Sequence, residues 1–227
     1  MKRTHLVIGS CSDVGEATVA RIRNQGNQVI RIDARGGDIN VDFSTTAGRL
    51  EAIEKVIEIT SGEIDAIIST IYTDAKKPVA LAANYFGITQ FLEGLYDEIR
   101  KGSFPRISIL NYYDESDVYS KELVDLMLHQ GEKKTLDVAQ KILENSPELS
   151  FQNYTSSQKA LQLWVKEMAH KAHWADSGIL MNIVTADKTI DPIDVAELLV
   201  WLASAENQSH TGEVFRAQSL TELQMTT

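Results

Sequence analysis

Tyrosine is a side chain that can give or take a proton, and one tyrosine of this sequence begins a predicted helix that also carries a lysine. Tyr154 opens the segment Tyr154-Thr155-Ser156-Ser157-Gln158-Lys159-Ala160-Leu161, which is predicted to be helical. An unperturbed tyrosine titrates near pH ~10, so it is a poor base at neutral pH unless a cation lies nearby. On a helix, the residue four positions after another lies about 40° around the axis from it, and the residue five positions after lies about 140° away. Gln158 is four positions after Tyr154 and Lys159 is five, so we expect Lys159 to point to a different face.

A glycine-containing turn near the start of the chain is suited to binding a pyrophosphate. It reads Gly9-Ser10-Cys11-Ser12-Asp13-Val14-Gly15 and lies between a predicted strand and a predicted helix. Backbone N–H groups and a helix N-terminus hold the phosphates at such a turn. The candidate cofactor-binding residues here are Gly9, Ser12, Asp13 and Gly15.

Asp13 has a second interpretation. The segment Asp13-Val14-Gly15-Glu16 has the pattern of a capping box, with an acidic N-cap and Glu three positions later. As the N-cap, Asp13 could satisfy the N–H groups that a pyrophosphate needs, and its charge would repel the ligand. We therefore expect weakened dinucleotide binding, unless the side chain turns outward and leaves the site usable.

Asp33 closes the next predicted strand, about twenty residues after the turn. A carboxylate there can accept hydrogen bonds from both hydroxyls of an adenosine ribose and would repel a 2′-phosphate. The sequence therefore favours NAD(H) over NADP(H), and the nearby Arg35 softens that preference.

These motifs resemble those of the short-chain dehydrogenase/reductase family, and among its members the 3α-hydroxysteroid dehydrogenase/carbonyl reductase type. The turn keeps two of the family's three glycines, with Asp13 at the middle position, and Tyr154 begins a segment similar to the family's Tyr-x-x-Ser-Lys-x-Ala-Leu. Asp42 and Phe43 match the stretch that lies against the adenine, and Asn84 matches the asparagine of the catalytic tetrad. The resemblance covers nearly the whole chain and implies an NAD(H)-dependent oxidoreductase of a carbonyl or alcohol substrate.

Several positions that carry catalysis in that family are replaced in this chain. Gln158 takes the place of the lysine, and Asn111 or Tyr112 takes the place of the serine that polarises the carbonyl. Thr70-Ile71-Tyr72 replaces a stretch of small residues and could crowd the cofactor. The candidate catalytic residues are therefore Tyr154, Asn84, Tyr112 and Asn111.

Strand and helix patterns alternate along residues 1–227 and predict one α/β domain. The expected fold is a Rossmann-type, doubly wound parallel sheet covered by helices on both faces. The resemblance implies the strand order 3-2-1-4-5-6-7. The predicted strands are Thr4–Ile8, Gln28–Ile32, Asp65–Ile68, Arg106–Leu110, Ile179–Val184 and Glu213–Arg216. The predicted helices are Asp13–Asn24, Thr46–Ile59, Pro78–Lys101 as one helix or two joined near Phe86-Gly87, Lys121–Gln130, Lys133–Glu144, Tyr154–His173 and Val195–Ala205.

Two segments depart from the length typical of the family. A helical insertion at about 116–150 carries two amphipathic helices, which form either an arm for a homodimer or a cover on the chain's own core. The segment that closes over substrate in relatives is truncated, because Asp191-Pro192 follows Asn182 by only nine residues. A missing lid predicts poor exclusion of water from the site.

Bulk properties exclude several classes of function. The formal net charge of -10 argues against binding to nucleic acid or to an anionic membrane, and no apolar stretch is long enough to span a bilayer. The single cysteine, Cys11, excludes an intrachain disulfide and favours the cytoplasm. His170 and His173 lack a third ligand nearby, so no metal site is predicted.

Two hypotheses of function remain open from the sequence. The first is a divergent NAD(H)-dependent oxidoreductase with impaired or lost dehydrogenase activity. The second is a non-catalytic or non-redox relative, which would be a dimeric scaffold, a nucleotide-binding module or an acid–base enzyme without hydride transfer. Both predict a homodimer or higher homo-oligomer, and the first also predicts a small-molecule substrate.

Overall fold

Seven parallel strands form one sheet in the computed structural model, which describes residues 2–218. The strand order is β3-β2-β1-β4-β5-β6-β7, as the resemblance implies. The strands are β1 (Thr4–Ile8), β2 (Gln28–Asp33), β3 (Ile39–Asn40), β4 (Ala66–Ser69), β5 (Arg106–Asn111), β6 (Leu180–Thr185) and β7 (Val214–Arg216). The central strands are buried on both faces, which is why they read as continuous apolar runs.

Helices cover both faces of the sheet. They are α1 (Asp13–Asn24), α2 (Thr46–Thr60), α3 (Val79–Leu81), α4 (Ile88–Gly94), α5 (Tyr96–Ile99), α6 (Lys121–His129), α7 (Glu132–Asn145), α8 (Gln152–Met168), α9 (Ala172–Ala175) and α10 (Pro192–Leu202). A π-helix at Ala82–Gly87 joins α3 to α4, and a 3₁₀ turn at Pro147–Leu149 precedes α8. None of these helices, within the described residues, has the length and apolar character that crossing a bilayer requires.

Three predicted helices differ from the structure by more than a single residue at an end. The helix predicted over Pro78–Lys101 is divided by the π-helix and by Leu95, which leaves the helical region between α4 and α5. The helix predicted to reach His173 ends at Met168, because Lys171 is extended and α9 starts afresh. The last helix spans Pro192–Leu202 rather than Val195–Ala205, and Asp191-Pro192 opens it as the sequence indicates, since Asp191 is its N-cap and proline is favoured in a first turn.

The helical insertion packs on the chain's own core. Leu123, Leu126 and Met127 of α6 are buried in the same apolar cluster as Leu161 of α8. The structure thus favours the cover over the free arm, and the homodimer stays a prediction.

A buried ion pair holds α7 in place. The Arg49 guanidinium of α2, with its side chain 2% exposed, donates to Glu132 Oε2 at 2.5 Å. The same guanidinium donates to the carbonyl of Phe43. This contact joins the first turn of α7 to the part of the sheet that carries β3.

Candidate active site

A cavity of about 350 Å³ lies at the carboxyl ends of β5 and β6, beside the first turn of α8. In a parallel sheet, ligands bind at this edge. Its lining residues are Tyr112, Tyr113, Asp114, Asp117, Tyr154, Thr185, Ala186, Asp187, Lys188 and Arg216. Two of the predicted catalytic residues, Tyr112 and Tyr154, are therefore brought together.

The hydroxyl of Tyr154 is buried and has no hydrogen-bond partner among the described residues. Burial raises the pKa of this tyrosine well above its ordinary value, and the nearby Tyr72 and Asp74 add to the increase. Lys159 lies over the rings of Tyr113 and Tyr119, with its Nζ 4.8 and 5.9 Å from their centroids. Because its pKa is raised, Tyr154 is neutral and protonated at physiological pH.

Gln158 and Asn111 join α8 to the end of β5. Gln158 Oε1 accepts a hydrogen bond from the Tyr112 N–H at 3.0 Å, and the Gln158 carbonyl accepts one from Asn111 Nδ2. Asn111 Oδ1 accepts from the N–H of Tyr113 and from Gln162 Nε2. Asn111 is fully buried and does not line the cavity, so of the two candidates for the serine position the structure brings only Tyr112 to it.

Tyr72 and Tyr112 pack against each other across the ends of β4 and β5. Their ring centroids are 4.6 Å apart. Burial raises the pKa of Tyr112 to about 12, and the charges of Tyr72 and Asp13 contribute to this shift. The two rings thus form a packed pair, and Tyr112 also lines the cavity.

Lys188 is a functional candidate that the sequence analysis missed. It lies in residues 186–191, the short connection from β6 to α10, and its Nζ is 5.1, 5.9 and 5.8 Å from the ring centroids of Tyr72, Tyr112 and Tyr154. It also forms an ion pair with Asp74 at 3.1 Å. The signal that could have found it is the shortness of this connection, which keeps its one lysine close to the site.

Asn84 connects the segment after β4 to α8. Its Oδ1 accepts from the Thr73 N–H at 2.7 Å, and its Nδ2 donates to the Thr73 carbonyl and to Ser157 Oγ. Ser157 in turn donates to the carbonyl of Tyr154. The fully buried Asn84 thus positions the backbone around Tyr154 and does not line the cavity itself.

The prediction that Asp13 is the N-cap of α1 is wrong. Ser12 is the N-cap: its Oγ accepts from the Gly15 N–H at 3.0 Å and donates to the carbonyl of Gly9. The backbone of Ser12 is extended whereas Asp13 is already helical, so the serine hydroxyl, not the carboxylate, reaches the third N–H. Asp13 is exposed, which corresponds to the outward orientation.

Both glycines of the turn are required by close contacts. A Cβ on Gly15 would lie 2.2 Å from the carbonyl oxygen of Gly9, and Gly9 itself has a φ of +77°. The turn therefore packs on itself at distances that no side chain allows.

The three predicted adenosine-binding residues differ in exposure and in the contacts of their side chains. Asp33 Oδ2 accepts from the Cys11 N–H at 2.9 Å, which fixes the carboxylate beside the glycine turn. Asp42 is exposed, and its Oδ1 accepts from the N–H and the hydroxyl of Ser44. Phe43 is 3% exposed and packs edge-on against Phe91, so its side chain belongs to the core.

Among the described residues, no cluster of three or more His, Cys, Asp or Glu side chains is arranged to hold a metal ion.

Comparisons with known proteins agree with this architecture. No protein-family model matches the chain. It is 26% identical over 194 residues to the 3-alpha-hydroxysteroid dehydrogenase/carbonyl reductase of Comamonas testosteroni, covering 83% of this chain and 74% of that protein. Its structure superimposes on the 3-alpha-hydroxysteroid dehydrogenase of Pseudomonas sp. B-0831 complexed with NADH with a TM-score of 0.86, at 24% identity over 98% of this chain and 97% of that one.

A more distant structure has the same fold. It is an oxidoreductase of the short-chain dehydrogenase/reductase family from Brucella ovis, in complex with a partially ordered NAD, with a TM-score of 0.69 at 17% identity over 96% of this chain and 100% of that one. In sequence and in fold, this chain resembles the short-chain dehydrogenases/reductases, and among them the 3α-hydroxysteroid dehydrogenase/carbonyl reductase type.

Proposed function

We propose that this protein is an NAD(H)-dependent oxidoreductase of a carbonyl or alcohol substrate, with weak cofactor binding and impaired turnover. The observation that carries the proposal is the contact of Asp33 with the Cys11 N–H at 2.9 Å, which places the carboxylate beside the glycine turn. The relatives named above are a dehydrogenase/carbonyl reductase and an NADH complex, which supports the same activity.

The residues at the adenosine end fit a dinucleotide. Gly9 and Gly15 allow a turn with no side chain in its way, and α1 presents its N-terminus above the turn. Asp33 would hold the adenosine ribose, and the exposed Asp42 would lie near the adenine. Asp13 stays in the first turn of α1, where its charge opposes that of a pyrophosphate, so it weakens binding without blocking it.

The tyrosines that line the cavity would transfer the proton to the substrate and hold its oxygen. The cofactor, when bound, would supply or accept the hydride. Tyr154 would give its hydroxyl proton to the substrate oxygen, and Tyr112 would donate a second hydrogen bond to that oxygen. Both hydroxyls are protonated at neutral pH, since burial raises both pKa values, which favours reduction over oxidation.

Three features account for impaired turnover. Gln158 provides no charge to Tyr154 and uses its amide to hold Tyr112 instead. Tyr72 and Tyr112 narrow the space that a nicotinamide would need. The connection at residues 186–191 is too short to cover the cavity, so water enters the site.

The tyrosine pair also favours a second candidate function. If Tyr72 and Tyr112 do not separate, the cavity can take a small polar molecule but no nicotinamide. Tyr112, Tyr113 and Tyr154 would then serve an acid–base reaction without hydride transfer.

Calorimetric titration with NADH and, separately, NADPH tests the proposal. We expect saturable NADH binding in the high micromolar range, roughly -5 kcal/mol, with weaker NADPH binding. Asp33→Asn should weaken NADH binding and reduce the preference for NADH. Asp137→Asn, an exposed carboxylate on α7, should change neither. No binding at millimolar NADH would reject the proposal and leave the second candidate.

We also propose that the protein is a cytoplasmic homodimer. The support is that the chain has a single cysteine, which rules out an intrachain disulfide, and that Val118, Leu149 and Phe151 are exposed around the insertion. Sedimentation equilibrium at micromolar concentration checks the oligomeric state, and a monomer would contradict it.

A further inference from the structure

No residue of α8 places a positive charge next to the Tyr154 hydroxyl. The Tyr154 hydroxyl is buried without a hydrogen-bond partner among the described residues. Gln158 is neutral, and Lys159 lies over Tyr113 and Tyr119. A buried phenol loses its proton readily only when a positive charge lies close to it.

Such a charge lies on a different element. Lys188, in the connection from β6 to α10, has its Nζ 5.8 Å from the Tyr154 ring centroid, and it lies near the rings of Tyr72 and Tyr112 at the same time. An ammonium within about 6 Å of a ring face is attracted by the ring's quadrupole. The ammonium of Lys188 therefore lies within about 6 Å of three ring centroids, one of which belongs to Tyr154.

We propose that Lys188 supplies to Tyr154 the positive charge that is missing at position 158. Lys188 is a positioning residue, because it acts through the ionisation of Tyr154. This inference rests on the proposed function for its catalytic meaning but makes an electrostatic claim that can be tested without turnover.

Asp74 has two opposite effects in this arrangement. It holds Lys188 through a 3.1 Å ion pair, and its own negative charge opposes the ionisation of Tyr154. The Lys188 and Asp74 side chains are 49% and 68% exposed, so their attraction is screened by water and the pair separates easily. When Asp74 is removed, one of the negative charges that oppose the ionisation of Tyr154 is lost, and the positive charge of Lys188 remains.

Other charged and titratable groups face Tyr154 from the elements around it. They are Tyr72 and Asp74 after β4, Tyr112 and Asp117 after β5, and Asp187, Lys188 and Arg216, which line the same cavity. Tyr72, Asp74, Tyr112 and Asp117 raise the pKa of Tyr154. The cations that line the cavity are Lys188 and Arg216, and the Lys188 Nζ lies 5.8 Å from the Tyr154 ring centroid, so we expect the removal of Lys188 to have the largest effect.

The test measures the ionisation of Tyr154 directly. Replacing the tyrosines with 3,5-difluorotyrosine makes the phenols more acidic, so that ¹⁹F NMR can follow each one in a pH range where the protein stays folded. The signal lost in Tyr154→Phe identifies Tyr154. We expect Lys188→Met to reduce its ionisation constant about tenfold, Lys188→Arg to preserve it, and Asp74→Asn to increase it.

The matched control is Lys159→Met, which removes the lysine next to position 158 and should leave Tyr154 unchanged. If Lys188→Met titrates like the unmodified chain, or if Lys159→Met produces the shift instead, the inference is overturned. Both positions are partly or fully exposed, and circular dichroism confirms that the variants fold.

Carbonyl reduction with NADH separates this inference from the proposed function. A chain without NADH binding whose Tyr154 still responds to Lys188→Met supports the inference and rejects the proposed function. A loss of turnover in Lys188→Met with unchanged ionisation of Tyr154 overturns the inference and leaves the proposed function standing.

Discussion

Gln158 accepts a hydrogen bond from the backbone N–H of Tyr112 at 3.0 Å through its side-chain Oε1. At 1% exposure, it joins α8 to the end of β5 from inside the molecule. At the helix position where the family motif has a lysine, this chain therefore has a glutamine that binds the backbone of Tyr112. The same contact orients Tyr112 toward the cavity.

Replacing Gln158 should reduce stability. In Gln158→Leu the Tyr112 N–H loses its acceptor in a buried site, so we expect a loss of about 1–3 kcal/mol in the free energy of unfolding. Urea denaturation measures it. Gln140→Leu, on the exposed face of α7, is the control and should change stability by less than about 0.5 kcal/mol. Equal stability of the two variants would show that the contact is not needed.

A charge at position 158 should not restore turnover by itself. In the exchange Gln158→Lys with Lys159→Gln, the new ammonium enters a buried site and the Tyr112 N–H loses its acceptor, so we expect lower stability together with a small gain or no gain in kcat. Steady-state carbonyl reduction and thermal unfolding, measured on the same preparation, check this. A gain of a hundredfold or more, about 2.7 kcal/mol, would instead show that the missing lysine alone limits the protein.

Removing the Tyr72 ring should improve cofactor binding. Tyr72→Ala opens the space beside Tyr112, and we expect NADH to bind about tenfold more tightly, a change of about 1.4 kcal/mol. Tyr72→Phe keeps the ring and should bind NADH like the unmodified chain. Calorimetry compares the three proteins. Unchanged affinity in Tyr72→Ala would place the limit at Asp13 instead.

Breaking the ion pair of Arg49 should be costly. Glu132→Gln leaves a guanidinium whose side chain is 2% exposed without its counter-charge, and we expect a loss of about 3 kcal/mol. Glu51→Gln, which breaks the exposed pair with Lys55, should cost less than about 0.5 kcal/mol. Chemical denaturation of both variants gives the comparison, and similar losses would contradict the structure.

His5 should make the protein less stable in acid. Burial, with the charge of Arg3 adding to it, lowers its pKa to about 4 from an ordinary value of 6.5. The unfolded chain therefore binds this proton at a higher pH than the native one, and the stability present above pH 6.5 is lost as the pH falls from there to about 4. The loss amounts to about 3 kcal/mol.

Denaturation curves between pH 7.5 and 4 check the His5 prediction. His5→Asn should have a shallower dependence of stability on pH in this window. His129→Asn, an exposed histidine on α6, should keep the original dependence. If His5→Asn retains the full slope, other groups cause the acid sensitivity.

Local patterns determined the order of the elements and much of their extent. The apolar run Leu6-Val7-Ile8 and the residues around Ile67 predicted buried parallel strands, and these strands lie where expected. The period of the helix was enough to separate Lys159 from Tyr154. Such predictions succeed because strand burial and helix periodicity depend on residues adjacent in the chain.

Choices between neighbouring residues needed the structure. The sequence could not tell whether Asn111 or Tyr112 reaches the cavity. In the structure the Asn111 side chain is buried against the Gln158 carbonyl, whereas Tyr112 contacts Gln158 through its backbone N–H and its side chain lines the cavity. It also assigned the N-cap of α1 to Asp13, although one residue's backbone angle gives that role to Ser12. Differences of one residue are decided by packing and dihedral angles that a pattern does not record.

The position of Lys188 was decided by the tertiary structure alone. Tyr72 and Asp74 follow β4, Lys188 follows β6 and Tyr154 lies in the first turn of α8, so no local pattern relates them. They meet because the parallel strands bring the segments after β4 and β6 to one edge of the sheet, where α8 begins. The sequence by itself determined that α8 carries no lysine four positions after Tyr154. Only the tertiary structure showed that Lys188, from the connection between β6 and α10, lies near this tyrosine.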